Sequence, residues 1–204
     1  MPKNSNSFYR RGAVDFLNLI ASRRSIRQFQ SKPVSEEALR GLVNAARLAP
    51  SAANRQPLEF IAVRGEQTKK KIFPCLKWAG YIAPEGNPRS GKEPQAYIVT
   101  LVNTSIRAKS FERDVGAAME NMILAAWSLG IGSCWIVTFD SERIRSILGI
   151  PEGFAIDSVL ALGYPAESPS VEDLRDSVQY WKDEEGKLHV PKRRLESVLH
   201  REKF

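Results

Sequence analysis

The amino-acid sequence predicts an α+β fold in which a mixed, largely antiparallel sheet is flanked by helices. Helical periods alternate with short apolar runs of strand length along 204 residues, and this length suits one domain with a sizeable core. The segment 111–129 is apolar around most of its helical circumference, which is typical of a central helix. A polar tail, studded with large apolar residues, completes the pattern and is expected to pack on another surface.

Apolar spacing and end signals locate the elements of the first half. A helix fits residues 13–22, and the apolar residues on one of its faces are Val14, Leu17, Ile20 and Ala21. Ser35 is a suitable N-cap for a second helix with an acidic first turn, which Pro50 stops. The elements expected next are a strand at 58–63, a short helix at 67–73 and a Gly/Pro-rich loop at 77–94. Such a long loop in a compact domain is usually functional or mobile.

The second half contains the strongest helix of the chain, residues 111–129, and Gly130 is placed to end it. Its apolar residues are Val115, Ala118, Met119, Met122, Ile123, Ala126, Trp127 and Leu129. In a chain this small, so widely apolar a helix indicates that a second subunit covers one side. The other elements expected here are strands at 97–102, 133–137 and 158–162 and a helix that Ser141 caps and that ends at Leu148.

We interpret residues 1–204 as one domain whose tail, about residues 167–204, packs on the partner subunit of a homodimer. The tail shows little periodicity of its own. Its large apolar residues are Val178, Tyr180, Trp181, Leu188 and Val190. These residues would be unfavourably exposed on an isolated polar extension.

Composition argues against several classes of protein. No apolar run reaches membrane-spanning length, and the polar start at 1–11 lacks the apolar core of a secretion signal. Cys75 and Cys134 share no metal or redox spacing, so reduced thiols in a cytoplasmic protein are expected. His189 and His200 both lie in the tail without a cluster of further ligands, and we therefore expect no metal site.

The net charge of +7 is concentrated at the two ends of the chain. Residues 1–30 carry six Lys/Arg against one acid and residues 187–204 carry six against two, which leaves −2 for the middle. Nucleic-acid binding is the first hypothesis for a basic protein, but the basic residues lack aromatic interleaving and form no long basic helix. Two basic ends that fold onto one small anion are an equally simple interpretation, and no nucleic-acid partner is expected.

Two basic clusters could bind such an anion. In the segment 23–29, Arg23, Arg24, Ser25 and Arg27 bring three guanidiniums and a hydroxyl close to a helix end. Arginine presents a planar fork that fits phosphate oxygens, although a solvated basic turn would have the same sequence. The second cluster lies in the tail and consists of Lys192, Arg193 and Arg194.

A third segment, Pro50 to Pro57, encloses small residues and two side-chain amides between prolines. An amide offers both a donor and an acceptor, which a flat heterocycle such as a flavin pyrimidine ring requires. A tight loop between elements is the alternative for this segment taken alone. Gly130 and Gly132 likewise fit helix termination and strand entry before Cys134 and Trp135.

The order and spacing of these segments are more specific than each one alone. The R-R-S-x-R segment, the P-S-x-x-N-x-Q-P segment about thirty residues later, the apolar helix leading into G-x-G-x-C-W and the basic tail resemble the nitroreductase family of flavoproteins. The stretches "LGIPEGFAIDSVLALGYP" and "YWKDEEGKLHVPKRRLESVL" are similar to its short members. The resemblance extends over roughly residues 15–199 and implies a nitroreductase-like fold, an intertwined homodimer and FMN as the cofactor.

The resemblance also implies roles for particular residues. Arg23 and Ser25 match positions that hold the FMN phosphate, with Arg24 beside them, and Arg27 matches a position that approaches the flavin pyrimidine edge. The residues that match the ring-lining segment, contributed across the dimer interface in this family, are Pro50, Ser51, Ala52, Asn54 and Gln56. The strand end whose backbone N–H reaches flavin N5 is matched by Ile136, Val137 and Thr138. The tail cations on the phosphate are matched by Lys192 and by Arg193 or Arg194.

The sequence departs from the family pattern at three places. Leu58 stands where a tryptophan is usual, and Ala52 replaces a common serine. The triplet Glu152–Gly153–Phe154 is similar to a flavin-contacting E-G-F of longer members, but it lies too far along the chain to carry that role. Specificity for the acceptor therefore stays open around Leu58 and the 77–94 loop.

The implied activity passes a hydride from NAD(P)H through flavin N5 to a small acceptor, such as a nitroaromatic or a quinone, by a ping-pong mechanism. The flavin carries the chemistry, and no nucleophile with a partnered base is evident, so Arg27 is expected to tune the flavin and not to act as a catalytic acid or base. The alternatives are a flavin carrier or sensor without nicotinamide turnover and a flavin-destroying or dehalogenating member of the family. A basic RNA-binding module is a more distant alternative.

Overall fold

The computed structural model describes residues 11–204, so most of the polar start considered for a secretion signal lies outside the described part. The helices are α1 Arg11–Ser22, α2 Glu36–Arg47, α3 Glu66–Ile72, α4 Glu112–Ser128 and α5 Ser141–Leu148. The strands are β1 Leu58–Val63, β2 Ala96–Asn103, β3 Gly132–Ile136, β4 Phe154–Gly163, β5 Ser170–Asp173, β6 Trp181–Lys182 and β7 Leu188–Lys192. Short 3-10 helices lie at Ala52–Asn54, Phe73–Cys75, Gly80–Ile82 and Leu195–Ser197.

The first four strands form one antiparallel sheet in the order β1-β2-β4-β3. Side chains alternate across it, so that Ile98 of β2 packs with α2 and α4, while the adjacent Tyr97 and Val99 pack on the face of α3 and α5. The sheet therefore separates two apolar layers, which accounts for the nearly continuous burial of β2. The α+β architecture predicted from the sequence is confirmed.

The central helix α4 buries one side against the sheet and α2. Its buried apolar residues are Val115, Ala118, Met119, Met122, Ile123 and Ala126. α1 lies against α4, and Trp127 Nε1 donates a hydrogen bond to Ser22 Oγ at 2.9 Å. On α1, Phe16, Leu17 and Ile20 remain exposed. An uncovered apolar helix face of this kind is what a subunit interface requires.

The helix ends test the predicted caps. Ser35 Oγ accepts from the amide of Ala38 at 3.1 Å, which confirms the cap of α2. Gly130 has φ +71°, the left-handed conformation expected after a helix. The cap of α5 was predicted one residue too late: Asp140 lies in extended backbone and its carboxylate accepts from the amide of Arg143 at 3.0 Å, which makes Ser141 the first helical residue.

The tail forms a second sheet, with the order β5-β7-β6, which the sequence pattern does not predict. β5 pairs with β7 in parallel and β6 with β7 antiparallel, so the parallel pair among these strands lies in the tail. Strands of two to five residues are too short to display a period. The tail packs on the 77–94 loop of its own chain, where Lys182 Nζ donates to the carbonyl of Glu85 at 2.7 Å. Packing on a partner subunit stays a prediction.

Candidate functional site

The arginine segment, residues 23–29, runs beside β3 and is held by its backbone. Ser25 forms a parallel bridge with Ser133, and the amide of Ile26 donates to the carbonyl of Ser133 at 2.9 Å. Further along, the amide of Phe29 donates to the carbonyl of Lys92 at 3.0 Å. The contacts with Ser133 extend the main sheet at its β3 edge, and the bond to Lys92 ties the segment to the 77–94 loop.

Two glycines allow the arginine segment to lie this close to the sheet. A Cβ at Gly132 would lie 2.7 Å from Ile26 Cγ1, and one at Gly163 would lie 2.8 Å from Phe29 Cδ1. Both distances are too short for carbon atoms in contact. Ile26 and Phe29 are fully buried against these glycines, and the arginines between and before them stay half-buried at the surface.

Two nitrogens of the half-buried guanidiniums of this segment lack partners. Arg24 Nε and Arg27 Nε are both inaccessible to solvent and have no hydrogen-bond partner among the described residues. Burial, together with the neighbouring charge of Arg23, lowers the pKa of Arg24. Donors left without acceptors are costly in a folded protein, so these nitrogens favour an acceptor-rich ligand at this place.

A cavity of about 570 Å³ opens beside Arg27. The β3 end supplies one wall with Ile136, Val137 and Thr138, and the loop supplies another with Lys77 to Gly80, Ala83 and Asn87. Val137 is 67% exposed, so the end of the strand is accessible from the opening of the cavity. The structure thus brings together four of the residues that the sequence analysis selected from two distant segments.

Tyr180 is a member of this cavity that the sequence analysis did not select for the site. Its ring lies under the guanidinium of Arg27, and the distance from Arg27 Cζ to the ring centroid is 5.2 Å. The centroids of the Tyr180 and Tyr81 rings are 5.0 Å apart. The sequence gives no local signal for this contact, because it joins the tail to the arginine segment and the loop. Tyr180 shields Arg27 from one side and limits the positions that the guanidinium can take.

Cys134 also borders the cavity, but it is a buried residue whose pKa burial raises. A thiol with a raised pKa is a poor nucleophile. Cys134 is therefore a core cysteine, and no part in the chemistry is assigned to it.

The proline-bracketed segment, residues 50–57, lines a different, smaller cavity of about 160 Å³. Its backbone is unusual, since Ala53, Asn54 and Gln56 have φ of 54°, 51° and 51°. Ser51 Oγ accepts from the amide of Gln56 at 3.0 Å, and Gln56 Nε2 donates to the carbonyl of Asn54 at 3.3 Å. Within one chain, the two predicted halves of the site therefore line separate cavities.

The tail cations are exposed, and the two arginines among them have partners within the tail. Arg194 Nε pairs with Asp173 at 3.0 Å, and Arg193 donates to the carbonyl of Ser197. Lys192 closes β7 with its side chain exposed. Their joint contact with a phosphate held by Arg23 and Ser25 stays a prediction.

No helix in the described part of the chain is long and apolar enough to cross a membrane. Among residues 11–204, no group of three or more His, Cys, Asp or Glu side chains is placed to hold a metal ion.

Comparison with known proteins identifies relatives of the chain. The model of the nitroreductase family matches residues 20–164. A protein of Archaeoglobus fulgidus, provisionally named NADH dehydrogenase/NAD(P)H nitroreductase, is 35% identical over 167 residues, which are 78% of this chain and 91% of that protein. An NADH dehydrogenase of Thermus thermophilus is 30% identical over 200 residues, covering 83% of this chain and 97% of that protein.

A solved structure shares the fold. An FMN-dependent nitroreductase of Clostridium difficile R20291 superposes with a TM-score of 0.68 at 23% identity, covering 92% of this chain and 99% of that one. The two chains are therefore similar in fold over most of their length.

Proposed function

Because the chain belongs to the nitroreductase family, we propose that it is an FMN-dependent oxidoreductase that passes reducing equivalents from NAD(P)H to a small acceptor, such as a nitroaromatic or a quinone. The names of its relatives support the nicotinamide donor and the class of reaction. The observation in the chain itself that carries the proposal is the cavity at Arg27, where a buried guanidinium nitrogen lacks an acceptor beside an exposed strand end.

The cavity and the arginine segment that leads to it fit FMN in charge and in size. Arg23, Arg24 and Ser25 offer donors for a phosphate, and the partnerless Arg24 Nε calls for an acceptor of that kind. The wall at the end of β3 and the volume of about 570 Å³ leave room for one side of a planar ring system. When bound, FMN would supply the redox chemistry: it would take a hydride from the nicotinamide and pass the electrons on to the acceptor.

The protein contributes binding, orientation and electrostatics. Arg27 places a fixed positive charge on the cavity wall, and a ligand that gains negative charge there is stabilised more strongly than it would be in water. Tyr180 keeps that charge in place. In the homodimer that we propose, the proline-bracketed segment of the second subunit would complete the ring-binding surface, which accounts for the separate cavities of a single chain.

The proposal is tested on the purified protein by absorbance, FMN titration and sedimentation. We expect a yellow dimer with one non-covalent FMN per subunit. Colourless protein that fails to bind added FMN would overturn the proposal, and a stable monomer with bound flavin would remove the dimer from it.

Turnover is tested with NADH and NADPH against a panel of quinones, nitroaromatics and free flavins. If donor and acceptor use the same exposed side of the flavin in turn, double-reciprocal plots at several acceptor concentrations are parallel. Intersecting lines would mean that both substrates bind together. Flavin binding without nicotinamide oxidation would instead identify a carrier or a sensor.

A further inference from the structure

Asp114, in the first turn of α4, is a buried carboxylate that the proposed chemistry does not use. Its side chain is 4% exposed. One oxygen, Oδ1, accepts from the amide of Ala52 at 3.0 Å. The other, Oδ2, lies 3.6 Å from a guanidinium nitrogen of Arg107, whose side chain is itself 18% exposed. A charged group is costly to bury, so this pair needs a structural or functional reason.

The proline-bracketed segment supplies that reason. Three of its residues with side chains, Ala53, Asn54 and Gln56, lie in the left-handed region of the backbone. That conformation is unfavourable for residues other than glycine and persists only where the surroundings impose it. Backbone of this kind is concentrated at ligand-binding sites, where it fixes a binding geometry in advance.

Asp114 links the strained segment to the rest of the fold. The other described hydrogen bonds of residues 51–56 join members of the segment to each other: the amide of Asn54 to Ser51, that of Arg55 to Ala52, and the contacts of Gln56. In the described part of the chain, only the bond from Ala52 to Asp114 connects residues 51–56 to another element by a hydrogen bond. The register of the segment on α4 therefore depends on one carboxylate.

We propose that Asp114 is a positioning residue for the flavin site, which holds residues 51–56 in the conformation that binds the ring, while Arg107 balances its buried charge. The inference about the ring rests on the proposed function. The inference about the segment does not, because the hydrogen bond and the left-handed residues are features of the chain alone.

The conformation of the segment is tested first, without flavin. Arg55 is exposed in the middle of the segment, so trypsin reports on its rigidity. Asp114→Ala removes the acceptor, and cleavage after Arg55 should become about tenfold faster, as expected for the loss of a hydrogen bond to a charged group. Asp114→Asn retains an oxygen for the Ala52 amide and should stay close to wild type. Glu112→Ala removes a charge from the same turn of α4 and serves as the matched control.

A pair of double variants keeps the test decisive if Asp114→Ala folds poorly. Arg107→Gln with Asp114→Asn removes both charges but retains the acceptor. Arg107→Gln with Asp114→Leu removes both charges and the acceptor together, leaving no unpaired buried charge. The first should resist trypsin like the wild type and the second should be cut about tenfold faster, by the same reasoning. Equal cleavage of the two would overturn the inference.

The flavin titration then connects the segment to the ring. Variants without the acceptor should bind FMN and riboflavin more weakly by the same factor, about tenfold, because the segment is assigned to the ring and not to the phosphate. A lowered melting temperature with unchanged flavin affinity and unchanged cleavage would mean a purely structural role and would overturn the inference. If the wild type binds no flavin, the proposed function fails, while the trypsin comparison still decides whether Asp114 holds the segment.

Discussion

The arginine segment and the proline-bracketed segment are held in place by different kinds of contact. The first is fixed by backbone hydrogen bonds to β3 and the 77–94 loop and by two fully buried side chains, Ile26 and Phe29. The second has no buried residue in its 3-10 helix and is attached to α4 through Asp114. The arginines of the first segment can therefore be changed without altering its path, whereas the attachment of the other segment to α4 depends on a single side chain.

The largest effect is expected from a ligand contact of the arginine segment. If Arg23 holds the FMN phosphate, Arg23→Ala should weaken FMN binding by about one to two powers of ten, since charge-assisted contacts contribute roughly 1.5–3 kcal/mol. Riboflavin has no phosphate and should bind nearly as before. Titration with both ligands measures the difference. Lys192→Ala should behave like Arg23→Ala if the tail shares the phosphate.

Arg27→Ala serves as the comparison for that measurement. If Arg27 faces the ring, its loss should weaken both flavins alike and lower the reduction potential, because the reduced flavin anion loses a stabilising charge. Equal losses for FMN and riboflavin in Arg23→Ala would place Arg23 away from the phosphate.

The second-largest effect is expected on the free energy of unfolding, and it tests how tightly the backbone of the arginine segment is packed. Gly132→Ala would place a Cβ 2.7 Å from Ile26 Cγ1 and 3.0 Å from Pro165 Cγ. Overpacking of this kind typically costs about 1–3 kcal/mol of unfolding free energy. Urea denaturation would measure it, with Gly41→Ala on α2 as the control, since a Cβ there meets nothing within 4 Å. A Gly132→Ala protein as stable as the wild type would show that the segment adjusts easily.

A smaller effect of opposite sign is expected in the proline-bracketed segment. Ala53 has φ 54°, so Ala53→Gly relieves an unfavourable conformation and should raise the unfolding free energy by up to about 1 kcal/mol. The same change in a regular helix, Ala45→Gly in α2, should lower it by about 1 kcal/mol. Denaturation of both variants compares the signs. A destabilised Ala53→Gly would argue that residue 53 is left-handed only in part of the molecules.

The smallest effect concerns the tail sheet that carries the predicted phosphate cations. His189 Nε2 lies 3.0 Å from Asp183 Oδ2, and this hydrogen bond lowers the pKa of Asp183 while burial opposes the shift. A carboxyl whose folded pKa is depressed stabilises the fold above its unfolded pKa, about 4, and loses that contribution as pH falls through the folded value. The difference in urea midpoint between wild type and Asp183→Asn should therefore shrink as pH is lowered from neutrality to below this range. A difference that stays constant over that range would contradict the assignment.

Much of the fold follows from local sequence patterns. Periodicity places α4 and the four main strands within a few residues, because side-chain spacing along a helix or a strand is a property of neighbouring residues. The cap at Ser35 follows from the same kind of local chemistry. The cap of α5 was assigned to Ser141 although Asp140 serves, since both residue types can cap and only the backbone conformation distinguishes them.

For the site, the sequence by itself determined the resemblance of its segments to a flavin-binding family and the chemical character of each segment. Only the tertiary structure decided that Arg27 meets the end of β3 and Tyr180 in one cavity, and that Ala52 is tied to a carboxylate 62 residues further along the chain. The tail sheet was also decided by the tertiary structure, since β5 and β7 are neighbours in the sheet although β6 lies between them in the sequence. The physical reason is that sequence patterns encode spacing between neighbours, whereas these contacts depend on how distant elements pack around a shared core.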